Sequence, residues 1–138
     1  MKKVLLIMAS HVGEDGRVHR VDRYWTSALT LPYLETLAPP GFKFQLLDDM
    51  AAEPPLDTDA DLVGLSARGL QIGRACWLAD EYRRRGKTVV MGGEWASLAP
   101  EQAERKFWVT YHQFFELRSI LRHFVPPPRR RLGTTMHY

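Results

Sequence analysis

Asp61-Leu62-Val63-Gly64-Leu65-Ser66 and, two dozen residues on, Thr88-Val89-Val90-Met91-Gly92-Gly93 are the stretches that decide the fold. Both are short, almost wholly apolar and cut off abruptly by small residues, which is how strands covered on both faces read. Between them Ile72, Ala75, Cys76, Ala79 and Tyr82 recur at helical spacing. Arg74, Asp80, Glu81, Arg83 and Arg84 are assigned to the outer face. Arg83 to Arg85 suit the negative end of the helix dipole, and Gly86 supplies a C-terminal cap. Strand, helix, strand with one intervening helix is a parallel crossover.

Working towards the N-terminus, Lys3 to Ala9 is a continuous apolar run, and therefore a central strand. A loop rich in glycine and charge, Ser10 to Arg17, follows it. Pro32 suits the first turn of a helix that would carry Tyr33, Leu34, Leu37 and Ala38 inward and stop at Pro39-Pro40-Gly41. Phe42 to Leu47 is a second strand ending at Asp48-Asp49, and Met50 to Asp59 has too many prolines and aspartates for a regular crossover helix. Towards the C-terminus, Pro100 to Lys106 reads as a short helix, Phe107 to Tyr111 as a fifth strand, and Phe114 to Phe124 as a last helix stopped by Pro126-Pro127-Pro128. Right-handed crossovers then give an α/β, flavodoxin-like (Rossmann-like), doubly wound five-stranded parallel sheet in the order 2-1-3-4-5. The expected organisation is one domain over residues 1–125 and a Pro/Arg-rich tail over 126–138.

Composition narrows the function classes. The 138 residues are 45% hydrophobic and 25% charged, enough for one core. No apolar run is long enough to cross a bilayer and no cleavable leader is evident, so a cytoplasmic protein without membrane contact is expected. Cys76 is the sole cysteine, so neither an internal disulfide nor a cysteine-held zinc ion or iron–sulfur cluster can form from this sequence. Acidic residues between Asp48 and Asp61 offset the net charge of +3, and nucleic acid is not an expected partner.

In such a sheet the ligand crevice lies at the carboxyl ends of strands one and three. A phosphoacceptor domain would need acidic residues where Ala9-Ser10 stand, an aspartate at Ser66 and a lysine near Tyr111-His112. A flavodoxin would need a hydroxyl-rich phosphate loop where the chain has Ser10-His11-Val12. Neither fits. What remains is a crevice floored by Gly64, Ser66, Ala67, Gly92 and Gly93, with apolar walls available from Leu29, Leu31, Leu65 and Trp95. Ser66 could alternatively cap the following helix.

Asp61 to Ser66, Gln71-Ile72-Gly73-Arg74-Ala75, Ala79 to Gly86 and Val89 to Gly93 together resemble cobalamin-binding domains, above all the module that precedes the catalytic barrel of cobalamin-dependent radical S-adenosylmethionine enzymes. The likeness runs from Met1 to about Glu104. It implies that Ser66, Gln71, Gly92 and Gly93 line the slot for the nucleotide tail of base-off cobalamin. The corrin would lie over the carboxyl edge, near Ser10, His11, Val12, Gly13, Leu65, Ala67, Glu94, Trp95, Tyr111 and His112. His11 falls near the place of the lower cobalt ligand of the methionine-synthase branch, but the aspartate that accompanies that histidine is absent. The radical enzymes' cysteine cluster is also absent, so the chain would not run radical chemistry alone. The resemblance therefore implies a binder of methyl-, adenosyl- or hydroxocobalamin for carriage, sensing or group delivery to a catalytic or effector protein. The alternatives are a subunit or fragment of a methyltransferase or radical enzyme, and a cofactor-free flavodoxin-like module.

Overall fold

The computed structural model describes residues 1–20, 30–93, 101, 109–110 and 121. Its elements are β1 (Lys2–Met8), the short strands β2 (His11–Val12) and β3 (Val18–His19), α1 (Thr30–Thr36), β4 (Phe42–Asp48), β5 (Leu62–Ser66), a 3-10 turn (Gly69–Gln71), α2 (Ile72–Arg84), β6 (Thr88–Gly92) and β7 (Val109–Thr110). The main sheet runs β4-β1-β5-β6-β7 with every pairing parallel. This is the expected 2-1-3-4-5 order of a flavodoxin-like doubly wound sheet.

The strand register explains both faces. Val4 pairs with Leu62 and Leu62 with Thr88, so even-numbered residues of these strands share one face and odd-numbered residues the other. Leu5, Ile7, Val63, Leu65, Val89 and Met91 pack against Ala75, Leu78, Ala79 and Tyr82 of α2. Val4, Leu6, Leu62 and Val90 pack against Leu31 and Leu34 of α1, and against the helical residue Leu121. Tyr33, expected to face inward, is 47% exposed, because Leu31 and Leu34 already take the sheet-facing positions of the short helix. Residues 49–61 contain no helix, as their prolines and aspartates indicate. Tyr82 steadies this connection from α2, its hydroxyl donating to the Pro55 carbonyl at 2.8 Å. Burial drives the Tyr82 phenol up to about 12.

Two expectations need correction. Ser10 to Arg17 is not a simple loop: β2 and β3 form an antiparallel ribbon with His11 opposite His19 and Val12 opposite Val18. Gly16 turns it with φ +74°, and the Gly13 amide donates to the Arg17 carbonyl at 2.9 Å. Arg74, assigned to the outer face of the helix, is only 4% exposed. Among the described residues no helix is long and apolar enough to cross a membrane. The expected short helix, most of the last helix and the tail lie largely outside the described residues, as do Leu29, Glu94, Trp95, Tyr111 and His112.

Candidate functional site

All strands of the main sheet end at one edge, and the polar residues buried in the described part of the chain collect there. Ser10, Asp49, Ser66 and Arg74 are its buried polar or charged side chains. Ser10 and Asp49 follow β1 and β4, Ser66 closes β5, and Arg74 lies in the first turn of α2, which begins above the same edge.

On the β5–β6 side, Ser66 sits between Met8 of β1 and Gly92 of β6 in one register row, on the face of α1. Its carbonyl accepts from the Ala9 amide at 3.1 Å, but its hydroxyl makes no hydrogen bond among the described residues. It does not cap α2, whose N-cap is Gln71. The Gln71 side chain instead accepts from the Arg68 amide at 3.0 Å and closes the 3-10 turn, leaving its NH2 group for other partners.

The glycines differ in what they are for. Gly93 has φ +100°, and a Cβ there would stand 2.7 Å from the Ala67 carbonyl oxygen and 3.3 Å from the Ser66 Oγ. Only glycine lets the chain pass so close to the end of β5. A Cβ at Gly64 would meet Leu6 Cδ2 at 2.6 Å, so the space beside Gly64 is filled by a leucine. Leu65 and Ala67 are fully buried against α2, on the face opposite Ser66, and Leu31 is buried beneath α1. Ser66 and Gly92 are thus paired in the last register row of β5 and β6, one row beyond Leu65 and Met91 of the packed core.

On the β1–β4 side the edge is filled with charge. Asp49 Oδ2 accepts from the Ser10 amide at 2.9 Å, the Ser10 hydroxyl at 2.5 Å and Arg74 Nε at 2.8 Å. Its Oδ1 accepts from Arg74 Nη2 at 3.1 Å and Arg20 Nη2 at 2.9 Å. Glu53 bridges the two guanidiniums, at 2.9 Å from Arg74 and 2.5 Å from Arg20. The Trp77 ring covers Arg74, 4.7 Å from the guanidinium carbon to the ring centroid. Burial opposes the charge on Asp49, yet the hydrogen bonds from Arg74 and Ser10 outweigh it and hold the carboxyl below its usual range. Glu53 is likewise lowered, chiefly by Arg74. Burial pulls Arg74 down, but the bonds to Asp49 and Glu53 leave it above its usual value.

The histidines stand on the ribbon above this cluster. The His11 and His19 rings stack with centroids 5.7 Å apart. Asp15 serves His19, accepting from its Nε2 at 3.0 Å, so His11 has no carboxylate of its own among the described residues. A Cβ at Gly13 would collide with the His19 ring at 2.3 Å, which explains that glycine by packing. Among the described residues no group of three or more His, Cys, Asp or Glu side chains could hold a metal ion.

Sequence reasoning missed Asp49, Glu53, Arg20 and the buried role of Arg74. One signal was present for the ribbon: Val12-Gly-Glu-Asp-Gly-Arg-Val18 places an Asp-Gly turn between two short mirrored runs, His-Val and Val-His.

No family model matches the chain. Over 76 residues, 54% of its length, it is 41% identical to the bacteriochlorophyllide d C-8(2)-methyltransferase of Chlorobaculum tepidum. The matched stretch spans 17% of that relative's length.

Proposed function

We propose that this chain is the cobalamin-binding module of a methyltransferase system, holding the cofactor base-off in the crevice at the carboxyl edge of the sheet. One observation carries the reading: the Ser66 hydroxyl, which bonds to no described residue, and Gly92 lie side by side in one register row at the switch point, with Gly93 passing close to the Ala67 carbonyl. That row pairs a hydroxyl with a position that carries no side chain of its own, which suits close approach of a flat or slender ligand group. Ser66, Gln71, Gly92 and Gly93 would hold the nucleotide tail. Ser10 to Gly13, Glu94, Trp95, Tyr111 and His112 would complete the surroundings of the corrin, with Leu65 and Ala67 contributing backbone at the strand end while their side chains pack against α2.

When bound, cobalamin supplies a cobalt–carbon bond from which a methyl or adenosyl group can be transferred. The chain's own residues bind and orient. Ser66 gives a hydroxyl, the backbone around Gly92 approaches the ligand, and the His11–His19 ribbon stands on the rim, with His11 a candidate lower ligand to cobalt. The likeness to a methyltransferase favours work alongside a catalytic unit over a free-standing carrier or sensor, since the matched stretch is a small part of that relative. The catalytic unit and the methyl acceptor are left to the partner.

The test is reconstitution with hydroxo-, methyl- and adenosylcobalamin, followed by absorbance after gel filtration. Stoichiometric cobalamin colour co-eluting with at least one form is expected. Colour below stoichiometry with all three forms would sink the reading. His11→Ala should alter the visible spectrum if that imidazole ligates cobalt.

A further inference from the structure

Buried ion pairs are poor stabilisers compared with apolar packing of the same volume, so the geometry of one kept at a sheet edge says more than its presence. Here the arrangement is well defined. Asp49 is fully buried, and its donors come from three separate segments: Ser10 immediately before β2, Arg20 immediately after β3, and Arg74 of α2. The Arg20 Nε also donates to the Asp49 main-chain carbonyl at 2.7 Å. Ser10 and Arg20 are the two roots of the ribbon that carries His11 and His19. One carboxylate therefore grips both ends of the ribbon and ties them to the helix beside the crevice.

We infer that Asp49 is a positioning residue that clamps the roots of the His11–His19 ribbon and so fixes the ribbon's stance at the rim of the cofactor crevice. This rests on the reading under Proposed function for what the ribbon faces, though not for the clamp itself. The Ser10 hydroxyl is donated to Asp49, so Ser10 acts on the crevice mainly through that bond. Arg74 neutralises the buried carboxylate, and Glu53, whose side chain is 58% exposed, balances the second guanidinium from the solvent side. Among the described residues the clamp balances two carboxylates against two guanidiniums.

The experiment compares the full chain with Asp49→Asn and Ser10→Ala by two readouts. The first is amide hydrogen exchange without cofactor: residues 11–19 should exchange faster in Asp49→Asn, while the amides of β1 and β5 keep their protection. The second is the Kd for hydroxocobalamin, which should rise about 10- to 100-fold in Asp49→Asn, the usual consequence of losing a residue that orients a ligand-facing group. Ser10→Ala removes one hydroxyl and should move both readouts in the same direction by less. If Asp49→Asn does not fold, Ser10→Ala decides. Unchanged ribbon exchange and unchanged Kd, with only a lower melting temperature, would overturn the clamp and leave the cluster a stabilising feature. A wild-type chain that binds no cobalamin overturns the cofactor reading, and the exchange readout then still decides whether Asp49 holds the ribbon.

Discussion

Two serines end two neighbouring strands, and the structure treats them in opposite ways. Ser10, after β1, is fully buried and spends both its amide and its hydroxyl on Asp49. Ser66, at the end of β5, is 7% exposed and keeps its hydroxyl unbonded among the described residues. Among the described residues the edge is thus divided into a half saturated by its own charges and a half whose hydroxyl bonds to none of them. A ligand belongs on the second half, because on the first it would have to displace charge-assisted hydrogen bonds.

The strongest way to break this division is Arg74→Met, which takes from the buried Asp49 its bidentate partner and leaves it to share Arg20 with Glu53. A loss of about 3–5 kcal/mol in urea unfolding is expected, the usual cost of removing one partner of a buried pair. A loss under about 1 kcal/mol would show that Asp49 is solvated by other means. Acid probes the same half without mutation. The folded Asp49 carboxyl lies below its usual range, so its stabilisation is present in full above the unfolded value of about 3.9 and is lost as pH falls through the lower folded value. Asp49→Asn should flatten that acid limb of the stability profile, and a profile identical to wild type would contradict the assignment. The smallest expected effect sharpens the contrast between the serines. Ser10→Ala should cost about 1–2 kcal/mol by denaturant titration, and Ser66→Ala less than about 0.5 kcal/mol, because of the two only the Ser10 hydroxyl bonds to a described residue. Equal costs for the two would erase the distinction.

Much of the architecture could be read from residue pattern alone. The continuous apolar runs of Lys3 to Ala9, Leu62 to Leu65 and Val89 to Met91 have no polar face, which left burial on both sides as the only arrangement, and the strand order followed from crossover handedness. The breakers did similar service, since Pro39-Pro40-Gly41 follows α1 and the prolines of residues 49–61 exclude a helix there. Side-chain roles were less legible. A count of helical positions put Arg74 with the outward charges, because periodicity records polarity and cannot register that a carboxylate from residue 49 waits on the inner side. Tyr33 failed for the converse reason, an apolar ring on a helix too short to bury a third large side chain. Gly64 read as open floor until its neighbour across the strand, Leu6, was placed over it. Each of these depends on a contact between residues far apart in sequence, which spacing within one segment does not record.

The Asp49 cluster also has a temporal side. Its members stand at positions 10, 20, 49, 53 and 74, so a growing chain reaches the last of them only after both strands it joins have been made. The complete cluster therefore requires β1, β4 and α2 to be brought together, so it exists only where these distant segments are correctly placed. The bond that grips the ribbon thus also registers that the edge has been put together correctly.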